Sequence, residues 1–166
     1  MPQGEYMHIG RIIPALGLIA AGLGVAPAAR ADDPSVARRL TQAGYQYKVD
    51  KDGDYLVVFN YAAEKRTQAV FISGKTETAY GVAVRKVFSP ASVGSKDPVG
   101  GAKALELMRD STTNKMGSWE LDNGVLFLVI KMPDSASAAE LQAAMRIAAE
   151  LADNMEKSIS GDRDDL

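Results

Sequence analysis

The sequence predicts an α+β domain, an antiparallel sheet packed with helices in the order α-β-β-β(-β)-α-β-β-α. Three observations carry this reading. Apolar residues recur at helical spacing after Asp33, Asp97 and Ser137. Between those stretches the hydrophobic period drops to two, as in half-buried strands. The strand-like runs are joined by Asp52-Gly53 and Asn123-Gly124, the pairs that favour tight hairpins. With 166 residues, no internal repeat and no interdomain linker, the chain reads as one domain.

The first helix opens with Asp33 as N-cap and Pro34 at its first position, and Gly44 stops it. Val36, Leu40 and Ala43 form its apolar stripe. Tyr45, Tyr47 and Val49 then alternate with Gln46, Lys48 and Asp50, which predicts a strand ending in a turn over residues 50–53. Residues 54–61 form the return strand. Leu56 to Phe59 is apolar on both sides, which predicts a strand covered on both faces. Residues 66–73 form a third strand, residues 74–78 a polar turn, and residues 80–88 a weaker fourth strand interrupted by Gly81.

A Pro-, Gly- and Ser-rich loop follows over residues 89–101. The next helix carries Val99, Ala102, Leu105 and Met108 on one stripe, and Gly100 and Gly101 weaken its start. Residues 117–121 and 125–132 make a hairpin. The second of these strands is apolar except for Lys131 and is expected at the centre of the sheet. Ser137 and Glu140 fit a capping box at the head of the last helix. Its apolar face is Leu141, Met145, Ala148, Ala152, Met155 and Ile159, with the intervening Glu and Arg residues facing water. Gly161 ends it, and residues 161–166 read as a disordered acidic tail.

Residues 1–31 read as a signal peptide. No charge lies between Arg11 and Arg30, and residues 12–25 are apolar apart from Pro14 and their glycines. Ala29-Arg30-Ala31 is a small-x-small site that places cleavage before Asp32. The apolar run is shorter than the ~20 residues that span a bilayer, so no membrane span is expected to persist. This points to a periplasmic or secreted bacterial protein. His8, the single histidine, leaves with the leader, and cysteine is absent throughout. Residues 32–160, the single domain, then have no imidazole and no thiol. That removes the commonest general acid–base, the thiolate nucleophile and the usual zinc ligands. The net charge of -2 gives no basic excess for nucleic acid.

Asp50, Asp52 and Asp54 could gather a cation, but an EF-hand loop needs Gly sixth and Glu twelfth. Here Gly53 is fourth and Tyr61 twelfth, so a hairpin turn is the better reading. Gly94, Ser95, Lys96, Gly100 and Gly101 precede a helix start without the spacing of a phosphate loop. Ser92 or Ser95 with Lys96 could form a histidine-free nucleophile pair, yet none sits in an elbow motif. Glu120 and Asp122 share one strand face and are explained by their hairpin. The aromatic residues all fall in strands, as sheet core and cross-strand pairs would. No catalytic residue, metal ligand or cofactor is assigned.

Several stretches resemble a known family. The run from Leu40 to Asp54, Leu-Thr-Gln-Ala-Gly-Tyr-Gln-Tyr-Lys-Val-Asp-Lys-Asp-Gly-Asp, looks like the opening of YbjN-type domains. Residues 82–90, ending Arg85-Lys-Val-Phe-Ser-Pro90, resemble their middle strand. Ala104-Leu-Glu-Leu-Met108 and Asn114-Lys-Met-Gly-Ser-Trp-Glu-Leu-Asp122 resemble their second helix and following strand. The resemblance implies a fold like that of type III secretion chaperones, which often dimerise and hold extended segments of other proteins. The family is described as putative sensory transduction regulators and implies no catalytic residues. The expected function is therefore an exported, non-enzymatic binding domain for a protein or peptide, through a sheet face, a sheet edge or the last helix. The alternative is a carrier of a small apolar ligand, with a closed pocket lined by Phe59, Phe71 and Phe127.

Overall fold

The computed structural model describes residues 33–161 and 163–166. The predicted leader and its cleavage site at Ala29, Ala31 and Asp32 lie outside the described residues. The predicted architecture is present: three helices and a seven-stranded, wholly antiparallel sheet. The chain runs α1 (Pro34–Gln42), β1 (Lys48–Val49), β2 (Tyr55–Tyr61), β3 (Arg66–Ile72), β4 (Glu77–Ala79) and β5 (Val82–Pro90). It continues through α2 (Gly101–Ser111), β6 (Ser118–Asp122) and β7 (Val125–Pro133) to α3 (Ala138–Ser160). The spatial order is β1-β2-β3-β5-β7-β6, and β4 pairs with the outer half of β5.

Local chemistry explains most boundaries. Asp33 caps α1 by accepting a hydrogen bond from the Ser35 N–H at 2.8 Å. Ser137 and Glu140 make both bonds of the capping box at the head of α3. The β6–β7 turn holds Asn123 and Gly124 at φ 48° and 81°, the left-handed pair a two-residue hairpin requires.

Strand β4 goes beyond the sequence expectation. Tyr80 and Gly81 have φ 48° and 86°, so the glycine that weakens the fourth strand is the corner of a hairpin between β4 and β5. β1 is shorter than its alternation suggests. Tyr45 and Tyr47 lie before it and use their rings instead, 5.8 Å from Phe59 and 5.4 Å from Tyr55.

One sheet face carries the core. Tyr55 and Val57, Val70 and Ile72, Val87, and Leu126, Leu128, Ile130 and Met132 pack under α3, together with α1 and Leu107 of α2. The alanines of α3 at 144, 148, 149 and 152 bring the helix close to the strands. β7 is not central, as its composition predicts, but next to the edge strand β6; β3 and β5 are the middle strands. Its apolar run reflects a covered face rather than a central place.

Two buried arginines anchor the ends of the domain. Arg85 on β5, 1% exposed, donates to Asp134 at 2.7 Å and also to Asp33 and the Ser73 carbonyl. It joins the start of α1 to the end of β7. Arg66 on β3 donates to Asp153 at 2.7 Å and Glu156 at 2.5 Å, both on α3. Asp153 and Glu156 are therefore inside, at 3% and 2% exposure, and the expectation that the Glu residues of α3 face water is corrected at Glu156. A buried carboxylate needs a paired cation, and Arg66 supplies it.

Residues 163–165 meet polar groups of β3 and α3. Arg163 accepts from Arg66 Nη1 through its carbonyl at 2.8 Å, and Asp164 accepts from the Thr67 N–H at 3.1 Å. Asp165 donates its N–H to Glu156 at 2.9 Å. Composition makes this end look unstructured, but β3 and α3 leave polar groups that it satisfies.

Candidate functional site

Because side chains alternate along a strand, the residues of opposite parity form a second sheet face. On β2 these are Leu56 and Val58; on β3, Ala69 and Phe71; on β5, Lys86 and Phe88; on β7, Phe127, Val129 and Lys131. The registers align them in rows. One row runs Leu56, Phe71, Phe88, Val129 and Ser118, and the next runs Val58 to Ala69, then Pro90, Phe127 and Glu120. Among the described residues, none of Leu56, Val58, Phe71, Phe88 or Phe127 belongs to the core or packs against it.

Three phenylalanines form the centre of this face. Phe71 and Phe88 stack at 5.3 Å, and Phe127 meets Phe88 edge-on at 5.9 Å. Such pairs hold one another in defined orientations beyond their area burial. All three are half-buried, while Val58 beside them is 57% exposed. The expectation that Leu56 to Phe59 is covered on both sides is thus corrected: Val57 and Phe59 meet the core and Leu56 and Val58 do not.

The rim is charged in pairs. Lys86 and Lys131 are directly opposite across β5 and β7, a like-charge placement that alone is destabilising. Each is matched by a carboxylate: Lys86 with Glu77 at 3.0 Å and Lys131 with Glu120 at 2.6 Å. Beyond them the face ends in an open depression of about 390 Å³, lined by Glu77, Ala79, Val82, Val84, Lys131 and Pro133 among others. The arrangement is an apolar stripe about three side chains wide, bounded by ion pairs.

Several of the other residues singled out in the sequence take part in turn and packing contacts. Asp50 accepts from the N–H groups of Asp52 and Asp54, both at 2.9 Å, and Asp54 accepts from the Gly74 N–H at 2.9 Å. Burial pushes the Asp54 carboxyl above its ordinary range, the Gly74 bond lowers it, and the neighbouring Asp50 and Asp52 charges raise it further. Among the described residues no group of three or more such side chains converges on a common point for a metal ion. Asp50 and Asp54 thus brace the turn and its neighbour Gly74 with their carboxylates.

Gly94 is required by packing, since a Cβ there would lie 2.1 Å from the Gly124 carbonyl oxygen. Ser92 is spent on the Leu126 N–H at 3.2 Å, and Lys96 Nζ is bound to Asp165 at 2.8 Å, so the serine–lysine pair is not formed between them. Glu120 is held by Lys131, and Asp122 accepts from Asn123 at 3.1 Å. Phe59 lies on the core face while Phe71 and Phe127 lie on the other, so the three do not line one chamber. In α2 the buried residue is Leu107, and the predicted stripe turns outward, with Leu105 and Met108 exposed. In this orientation Ser111 and Asp110 accept from the Trp119 N–H and indole N–H at 3.0 and 2.6 Å.

No family model matches the chain, and no curated protein matches it.

Proposed function

We propose that this is an exported, non-enzymatic binding domain that engages a protein or peptide partner through the uncovered sheet face. The observation that supports it is the Phe71–Phe88–Phe127 stripe, ordered by ring contacts yet outside the core. Contiguous exposed apolar surface of this kind marks an interaction site. Aromatic anchors surrounded by polar pairs are the usual anatomy of a binding surface. The resemblance to YbjN-type domains points the same way, and the leader-like residues 1–31 support a periplasmic or secreted setting. A small-ligand carrier is less well supported, because Phe59, Phe71 and Phe127 do not enclose a common space.

The test is site-specific photo-crosslinking in the native cell envelope. A photoreactive residue at Val58 is expected to capture a defined partner that one at Arg146, on α3, does not. Phe88→Ser is expected to abolish the Val58 product while leaving the fold intact. Equal products from both positions, or a Val58 product indifferent to Phe88→Ser, would count against the reading.

A further inference from the structure

Strand β3 has an edge that its neighbour does not complete. β5 pairs with β3 only at Phe71 and Ile72. Beyond that the strands part, and side chains fill the gap: Gln68 donates to Ser89 and to the Pro90 carbonyl, and Ser89 donates to the Ala69 carbonyl. At the open end the Thr67 N–H and hydroxyl point away from β2, and among the described residues no strand lies opposite them.

The groups around this opening are specific. Arg66 offers Nη1, Thr67 its N–H and hydroxyl, Lys96 its ammonium, Glu156 the oxygen Oε1, and Asp97 a carboxylate. Residues 163–165 meet all of them. The Arg163 carbonyl takes Arg66 Nη1 at 2.8 Å, and its guanidinium reaches Asp97 at 2.6 Å. The Asp164 carboxylate takes the Thr67 N–H at 3.1 Å and hydroxyl at 3.3 Å. Asp165 takes Lys96 at 2.8 Å and gives its N–H to Glu156 at 2.9 Å.

We propose that this cleft is a binding site for an extended segment carrying a basic residue followed by two acidic ones, and that residues 163–165 occupy it as a displaceable internal ligand. Two features make the tail displaceable. Its ion pairs are solvent-exposed on the Arg163 and Lys96 side, where each contributes little. No strand ladder holds it; its main-chain bonds go to side chains. A competing segment with the same order of a basic and two acidic residues can reproduce these contacts, because nearly all of them read its charges. The tethered tail competes at roughly millimolar effective concentration, so the resting chain is self-blocked. This site is separate from the phenylalanine stripe and does not rest on the reading of that face.

The experiment uses the full chain and the synthetic peptide Gly-Asp-Arg-Asp-Asp-Leu. Asp164→Lys with Asp165→Lys is expected to unseat the tail. Hydrogen exchange at the Thr67 amide should then quicken at least tenfold. The peptide, titrated by calorimetry, should bind the double variant at least tenfold more tightly than the unaltered chain. A peptide with Asn-Asn in place of Asp-Asp should not bind. Lys96→Glu, a change at an exposed side chain, is the second variant and should also quicken Thr67 exchange. Unchanged exchange at Thr67 in a cooperatively melting Lys96→Glu chain overturns the proposal. So does peptide affinity that is equal for the double variant and the unaltered chain.

Discussion

The two faces of the sheet obey the same alternation and reach opposite ends. On the covered face, Val70, Ile72, Val87 and Leu128 are completely shielded by helices. On the other, Leu56, Phe71, Phe88 and Phe127 have similar hydrophobicity and no helix. The contrast teaches that apolar composition specifies that a strand exists, and only the placing of helices decides which side becomes core. An apolar side chain beneath a helix contributes to stability; one on the open face can contribute its burial to a partner.

The comparison can be broken at the buried charges first. Arg66→Ala leaves Glu156 inside without its cation and Asp153 with Lys157 alone, and should cost about 3–5 kcal/mol. Chemical denaturation would show it as a lower midpoint. Leu128→Ala on the covered face should cost about 2–5 kcal/mol through lost burial and a residual cavity. A change below about 1 kcal/mol would mean that α3 does not pack as described. Ser137→Ala removes the cap of α3 and should cost about 1 kcal/mol, read in the same assay. Val58→Lys on the open face should stay within about 0.5 kcal/mol while weakening partner capture. Stability loss as large as that of Leu128→Ala would show that the open face is folded against something.

Acid should weaken the anchor at Asp33. Burial pushes that carboxyl up, but the Ser35 N–H and hydroxyl and the charges of Arg85 and Arg39 outweigh it and hold it below its ordinary 3.8. A depressed folded-state value means stability that is full above the unfolded value and is lost as pH falls through the folded one. Melting temperature should therefore fall on acidification below about pH 4, and less steeply in Asp33→Asn.

Much of the fold is legible because its signals are local. Asp33-Pro34, the Ser137–Glu140 capping box and Asn123-Gly124 each involve groups within a few residues, and each has its expected conformation. The misreadings share a different cause. The interior place of Glu156 depends on a partner far away in sequence, and the orientation of α2 on a strand that follows it. Arg66 is about ninety residues from Glu156, so nothing in the neighbourhood of either signals the pair. The open face was visible only as apolar β2 residues, since periodicity registers hydrophobicity on both sides without saying which is covered.

The amino-acid order alone determined the element types apart from β4, the hairpin turns at Asp52-Gly53 and Asn123-Gly124, and the absence of thiol chemistry, because propensity, capping and composition act over short distances. The tertiary structure alone decided the strand order, the uncovered face, the two arginine anchors and the cleft that holds residues 163–165. Those depend on which distant groups exclude water from one another, and that is a property of the packed whole.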